Sequence, residues 1–288
     1  MPLRYAFGMR IQFTKMHGLG NDFIVFEAPD ERSVPTATQL RKLSDRRTGI
    51  GFDQALIIQP PRKPGTDLFY RNFNADGSEV EQCGNGARCV ASLVAAQRGV
   101  MRTLHMDTVA GRIDAQIRTD ERGNRIVSLD MGEPDFQPAA LPFDAPDESP
   151  LYALQVGERH LEIGAVSMGN PHAVLRVASV DDAPVDSLGR EVENHRRFPN
   201  RVNVGFMEVV SRDRIRLRVF ERGVGETKAC GTGGCAAVAV GRKLGWLDEA
   251  VNVDFLGGRA QVDWAGPGSH LWLTGPAVRV FEGQVDVD

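Results

Sequence analysis

One short pattern is written twice in this 288-residue chain. Asn74-Ala-Asp-Gly-Ser-Glu-Val-Glu-Gln-Cys83-Gly-Asn-Gly-Ala-Arg88 is matched by Glu221-Arg-Gly-Val-Gly-Glu-Thr-Lys-Ala-Cys230-Gly-Thr-Gly-Gly-Cys235. In each copy a cysteine is followed by Gly-x-Gly and then by small apolar residues. Polar landmarks keep the same order and nearly the same offset in both halves: Gly20-Asn21 with Gly169-Asn170, Gln54 with Asn203, Asn74 with Glu221, Cys83 with Cys230. Chance matches would scatter. The repeat is far longer than the roughly 20 to 50 residues of a solenoid unit, so it implies two copies of a domain.

Within each copy the same elements are expected. Arg214-Ile-Arg-Leu-Arg-Val-Phe220 alternates as a half-buried strand does, and Val278-Arg-Val280 repeats the habit, so both should face a core on one side. Ala87–Arg98 and Cys235–Leu244 are instead apolar nearly all round and stop at Gly99 and Gly245. A helix apolar on every side must be surrounded. The sequence therefore predicts an α+β fold of two pseudo-symmetric domains, strands wrapped round a central helix in each, with an active cleft between them. A peripheral helix is expected from Ala37 to about Asp45, because Thr36-x-x-Gln39 forms a capping box. Another is expected over Val185–His195, and Pro134–Pro150 reads as a long surface loop.

Composition narrows the function classes. With 42% hydrophobic and 25% charged residues the chain is globular rather than disordered, and its net charge of −4 gives no reason to expect nucleic acid. No run approaches the roughly 18 apolar residues of a membrane span, and the stretch Met1–Arg10 is too short for a signal peptide. A cytoplasmic location is the default expectation. There the four cysteines read as thiols rather than a disulfide framework.

Cys83 and Cys230 fall at the starts of the two central helices, where unpaired N–H groups and the helix dipole favour an anion. That position is expected to lower a thiol pKa from about 8.5 toward neutrality. The following glycines open the backbone to a ligand, so the same N–H groups could hold a substrate carboxylate, with the two helix ends converging on it. A thiolate on one face could then remove the α-hydrogen while a thiol on the other returns one, with donors stabilising the charge that develops. Neither metal nor other cofactor is required. Simpler readings stand beside this one. Cys89 and Cys235, inside the helical runs, read as small core residues. Cys83-x5-Cys89 and Cys230-x4-Cys235 do not share a helix face and fit zinc poorly, and Gly231-Thr-Gly-Gly234 lacks the Gly-Lys-Ser/Thr of a phosphate loop. Each Asn-Gly landmark alone would be a turn; the paired recurrence favours a site. Glu221 and Arg222 could form a surface ion pair, and His172 is either a satisfied core histidine or a group that tunes a thiol.

At Lys15–Phe23, Gly51-Phe-Asp-Gln54, Phe73–Ser78, Cys83–Cys89, Gly169-Asn-Pro-His172, Glu221-Arg222, Gly225–Thr227 and Ala229–Gly233 the chain resembles the diaminopimelate epimerases, from about Met9 to the C-terminus. The resemblance implies that Cys83 and Cys230 are the acid/base thiols and that Gly84-Asn85 and Gly231-Thr232 bind the reacting α-carboxylate. It implies further that Asn21, Gln54, Asn74, Asn170, Asn203 and Arg222 hold the rest of a diamino acid, with Arg222 on the distal carboxylate. Glu221 would accept the α-ammonium, and Glu221 and His172 would adjust the thiols. It also implies barrel-like, mostly antiparallel sheets, domains of 9–127 plus 276–288 and 128–275, a homodimer, no cofactor, and a place in lysine and peptidoglycan precursor synthesis. Met9-Arg-Ile-Gln-Phe13 looks like a usual start, which leaves Met1–Gly8 as an addition. The alternatives are a proline- or hydroxyproline-type racemase, which Asn85 and Arg222 argue against, and a non-catalytic thiol redox or metal-binding module.

Overall fold

The computed structural model describes residues 9–80, 83–99, 102–120, 123 and 125–287. The alternative start at Met1–Gly8 lies outside the described residues, as do Glu81 and Gln82 of the first motif and Asp288. The chain opens with strands β1 (Met9–Gly18) and β2 (Asn21–Glu27), helix α1 (Ala37–Ser44), and strands β3 (Gln54–Gln59), β4 (Leu68–Asn74) and β5 (Glu79–Val80). Helix α2 (Gly84–Arg98) and strands β6 (Thr103–Thr108), β7 (Gly111–Thr119) and β8 (Arg125–Asp130) follow. The series then restarts with β9 (Tyr152–Val156), β10 (Arg159–Ser167), β11 (Pro171–Arg176), α3 (Val185–Glu193), β12 (Asn203–Ser211), β13 (Arg214–Glu221) and β14 (Gly225–Thr227). Helix α4 (Gly231–Lys243), β15 (Ala250–Phe255), β16 (Gly258–Asp263), β17 (Trp272–Gly275) and β18 (Val278–Val287) complete it.

Two compact units result, one of residues 1–129 with 276–288 and the other of 130–275. Both use the same pairing scheme. In the first, β1 pairs antiparallel with β2, β2 parallel with β3, β3 antiparallel with β4, β4 parallel with β6, and β6 antiparallel with β7. In the second, β10 to β13, β15 and β16 repeat that sequence of antiparallel and parallel pairs. A parallel neighbour needs a crossover. The crossovers are the helices: α1 and α3 span the first parallel pair of each unit, α2 and α4 the second.

The helices explain why the strands between them are apolar on both faces. In the first unit Ile24, Phe26, Ala55 and Ile57 pack with Leu40 and Leu43 of α1. The alternate residues Phe23 and Leu56 meet α2, where a Cβ on Gly86 would lie 3.0 Å from a Leu56 methyl. In the second unit Ala173, Leu175, Val204 and Phe206 pack with Val185, Leu188 and Val192 of α3. Helix α2 is buried from Asn85 to Ala95 and α4 from Gly233 to Gly241, as surrounded helices must be. Helix α1 starts on the Thr36/Gln39 capping box.

Two expectations need correction. Pro134–Pro150 is not simply a surface loop, because Leu141 and Phe143 enter the second core. Phe143 stacks on Phe198 at 4.5 Å and meets Tyr152 edge-on at 4.9 Å. Val278 and Val280 do not face a core either, being 42% and 56% exposed. The β1–β18 register passes from Phe281 to Arg279 across Lys15 and Met16, so Val280 is the extra residue of a bulge and the alternation is reset there.

Candidate active site

In the first unit Cys83 is the N-cap of α2, with extended backbone angles, and its carbonyl accepts from Ala87 at 2.9 Å. Its side chain does not cap the helix, and the residue is partly exposed. Gly84 and Asn85 begin the helix, so their N–H groups are among those with no acceptor inside it. The Asn85 carboxamide donates to Asn21 Oδ1 at 2.8 Å, and Asn21 donates in turn to Asp53 Oδ2 at 3.4 Å. A second chain lies on the neighbouring strands. Gln54 opposes Asn74 across β3 and β4 and donates to its Oδ1 at 3.0 Å; Asn74 donates to Ser78 Oγ at 3.2 Å, and Asn72 donates to Gln54 Oε1 at 3.4 Å.

The second unit repeats the placement with different side chains. Cys230 is the N-cap of α4, accepts from Gly234 N at 3.0 Å through its carbonyl, and lies with its Sγ 3.5 Å from Thr232 Oγ1. Asn170 donates to Thr232 Oγ1 at 3.4 Å and accepts from His172 Nε2 at 3.0 Å. The Glu221 carboxylate reaches the Cys230 thiol and also accepts from Thr227 Oγ1. Asn203 donates to the Pro171 carbonyl at 3.0 Å and accepts from Arg222 N at 3.0 Å, while the Arg222 guanidinium donates to the Asn200 carbonyl at 3.2 Å. Gly231 lets Leu273 pack close to the start of the helix, since a Cβ there would stand 3.0 Å from its side chain.

Electrostatics depart from the simple helix-end expectation at Cys230. Burial pushes its thiol well above the ordinary range and the Glu221 carboxylate pushes it further, while the Thr232 hydroxyl and the Gly233 N–H oppose this. The helix end is present but outweighed. His172 is buried, and burial together with the Arg222 charge pushes it down to about 3. It is a neutral imidazole, joined to Cys230 through the chain Asn170–Thr232.

Several supporting residues were not singled out from the sequence. Asp53, Asn72 and Ser78 hold the first-unit amides; Thr227 holds Glu221; Glu193 accepts from Gly223 N at 2.6 Å, beside Arg222. Arg88 is fully buried and donates to Asn85 Oδ1. A lone arginine inside an otherwise apolar helical run was the available signal for it. Among the described residues no group of three or more His, Cys, Asp or Glu side chains is arranged to hold a metal ion, and no helix is long and apolar enough to cross a membrane.

Comparison with known proteins adds to this geometry. The family model described as diaminopimelate epimerase matches residues 13–137 and 164–280. The chain is 52% identical to the diaminopimelate epimerase of Stutzerimonas stutzeri (strain A1501) and 51% identical to that of Pseudomonas aeruginosa (strain LESB58), in each case over 96% of this chain and 99% of the relative. Solved structures with the same fold include a phenazine biosynthesis protein of the PhzF family from Bacillus anthracis, at 19% identity, 96% and 99% coverage and a TM-score of 0.68. A hydroxyproline epimerase from Agrobacterium vitis is also similar, at 17% identity, 99% and 94% coverage and a TM-score of 0.68. With its duplicated units and near-full-length identity, the chain belongs to the diaminopimelate epimerase family.

Proposed function

We propose that this protein interconverts LL- and meso-diaminopimelate without a cofactor, using Cys83 and Cys230 as the two proton-transfer groups. The observation that carries the reading is that both cysteines are N-caps of equivalent buried helices, each followed by residues with unspent backbone N–H groups. Gly84-Asn85 and Gly231-Thr232 bind the α-carboxylate through those groups. As the α-hydrogen leaves to a thiolate, charge builds on the carboxylate and the donors strengthen; the opposite thiol then delivers its proton to the other face. One C–H bond breaks, one forms, and the thiol and thiolate have exchanged places. Removing a single well-placed donor of this kind typically costs about 10²–10³ in rate.

Asn21, Gln54, Asn74, Asn170 and Asn203 position the substrate, Glu221 accepts its reacting ammonium, and Arg222 pairs with the distal carboxylate. Glu221 and His172 set the acidity of the thiols. A cytoplasmic homodimer serving lysine and peptidoglycan precursor synthesis completes the proposal. The test is incubation of LL-diaminopimelate in deuterated water under reducing conditions. Two-base inversion puts deuterium at the inverted carbon of early product and leaves recovered substrate largely unlabelled; early label in recovered substrate would point to a single exchanging base. Cys83→Ala and Cys230→Ala should each abolish epimerisation. Arg222→Met should raise KM about 10- to 100-fold, the worth of a charge-assisted hydrogen bond, and turnover of proline in place of diaminopimelate would refute the substrate assignment.

A further inference from the structure

The two units differ in what lies beneath their cysteines. In β4 the residues Tyr70, Asn72 and Asn74 share one strand parity, and the offset that matches Cys83 with Cys230 matches them with Leu217, Val219 and Glu221 of β13. The register confirms the match, since Ile58 opposes Tyr70 as Met207 opposes Leu217. The same offset sets Arg88 of α2 against Cys235 of α4. All six of Tyr70, Asn72, Arg88, Leu217, Val219 and Cys235 are buried to within 1% exposure. One interior is therefore lined by a phenol, a carboxamide and a guanidinium where its copy is lined by two aliphatic groups and a thiol.

Buried polar groups are costly, so a fold that keeps three where its duplicate does without them is using them. Tyr70 Oη and Asn72 Oδ1 have no hydrogen-bond partner among the described residues. Arg88 donates to Asn85 Oδ1 and thereby aims the Asn85 amide at Asn21. Its charge also acts on Cys89, one position along the helix, where it opposes the effect of burial; Cys83 acts on both Cys89 and Tyr70. Cys230 has the opposite surroundings: a closer burial, aliphatic Val219 within reach of its helix, and the Glu221 carboxylate on the thiol.

We propose that Arg88 is a positioning residue which, with the Tyr70 hydroxyl, makes Cys83 the resting thiolate and leaves the resting proton on Cys230. The buried guanidinium supplies a fixed positive charge at the helix that begins with Cys83, and it orients Asn85 for the substrate in the same contact. Of the charged groups on the strands packed against α2, Lys15 of β1 pairs with Asp22 of β2 and Asp114 of β7 pairs with Arg112 and His105, while Arg10 and His17 of β1, Glu27 of β2 and Arg118 of β7 point to solvent. The proposal rests on the two-thiol reading above, but its test does not depend on turnover.

The test is the pH dependence of iodoacetamide alkylation, resolved for Cys83 and Cys230 by peptide mass spectrometry. Accessibility sets the plateau rate, whereas the thiolate fraction sets the midpoint. In the unsubstituted protein the Cys83 midpoint should lie below that of Cys230. Arg88→Met should raise the Cys83 midpoint by about one pH unit, a tenfold loss of thiolate below it, and leave the Cys230 midpoint in place. Arg88→Lys should hold the midpoint near its original value while raising KM, because it keeps the charge and loses the planar hold on Asn85. A Cys230 midpoint at or below that of Cys83, or a Cys83 midpoint unmoved in folded Arg88→Met, would overturn the proposal. Should Arg88→Met fail to fold, the comparison of the two thiols in the unsubstituted protein still decides. Absence of deuterium incorporation would sink the epimerase reading alone.

Discussion

Cys230 is pulled two ways, and magnitudes decide the outcome. A helix N-terminus favours a charge by about 0.3–1 kcal/mol at exposed sites, whereas taking an ion out of water costs several kcal/mol. Burial wins, and Glu221 adds to it. Glu221→Gln should therefore lower the pH at which Cys230 is alkylated, and an unchanged midpoint would free Glu221 of that role. His172 offers a stability test. Its folded pKa of about 3 lies below the ordinary 6.5, so the unfolded chain binds the proton first as pH falls. The stability contributed by the neutral imidazole is complete above pH 6.5 and is lost between there and about 3. Urea unfolding of His172→Gln should accordingly show a loss over that range smaller by about 1–3 kcal/mol than the parent. The site residues that the sequence revealed were the duplicated ones, such as Asn21 with Asn170 and Gln54 with Asn203. Asp53, Thr227 and Glu193 left no such trace, since a hydrogen-bonding side chain at an unrepeated position looks like any surface polar residue. The burial of Cys230 is a tertiary property that its helix position alone does not reveal.

At the scale of elements, signals carried inside a segment were readable and those created by docking were not. The capping box of α1 is local chemistry: Thr36 accepts from Gln39 N at 3.3 Å and Gln39 accepts from Thr36 N at 2.8 Å. Thr36→Ala should cost about 1 kcal/mol in thermal or urea unfolding. The central helices were legible because they are apolar on all sides. Phe143 was not, because its stacking partner Phe198 is distant in sequence and the segment around it is rich in Pro and Asp. Close packing of α4 gives a sharper prediction. A Cβ on Gly164 of β10 would lie 2.3 Å from Val240 Cγ1, so Gly164→Ala should destabilise by about 1–3 kcal/mol through overpacking. A denaturation midpoint equal to the parent's would show that Val240 can yield.

For the molecule as a whole, the duplication visible in the sequence reappears as two units with one pairing scheme, although side-chain differences such as Arg88 against Cys235 give the copies different interiors. The proposed homodimer belongs to this scale. Strand β18 exposes Val278, Val280 and Phe281 together, an apolar stripe on a strand that pairs with β1. Val280→Lys should reduce the mass measured by light scattering toward that of one chain if the stripe is the contact, and an unchanged mass would place the contact elsewhere. The same strand has a consequence for biogenesis. Residues 130–275 form the second unit without interruption, but the first unit is completed only when β18 reaches β1. On the ribosome, the later half can mature while the earlier half waits with an unpaired edge at Ile11 and Phe13. The order of synthesis and the order of completion are thus reversed, and the waiting segment is the one that a chaperone would have to shield.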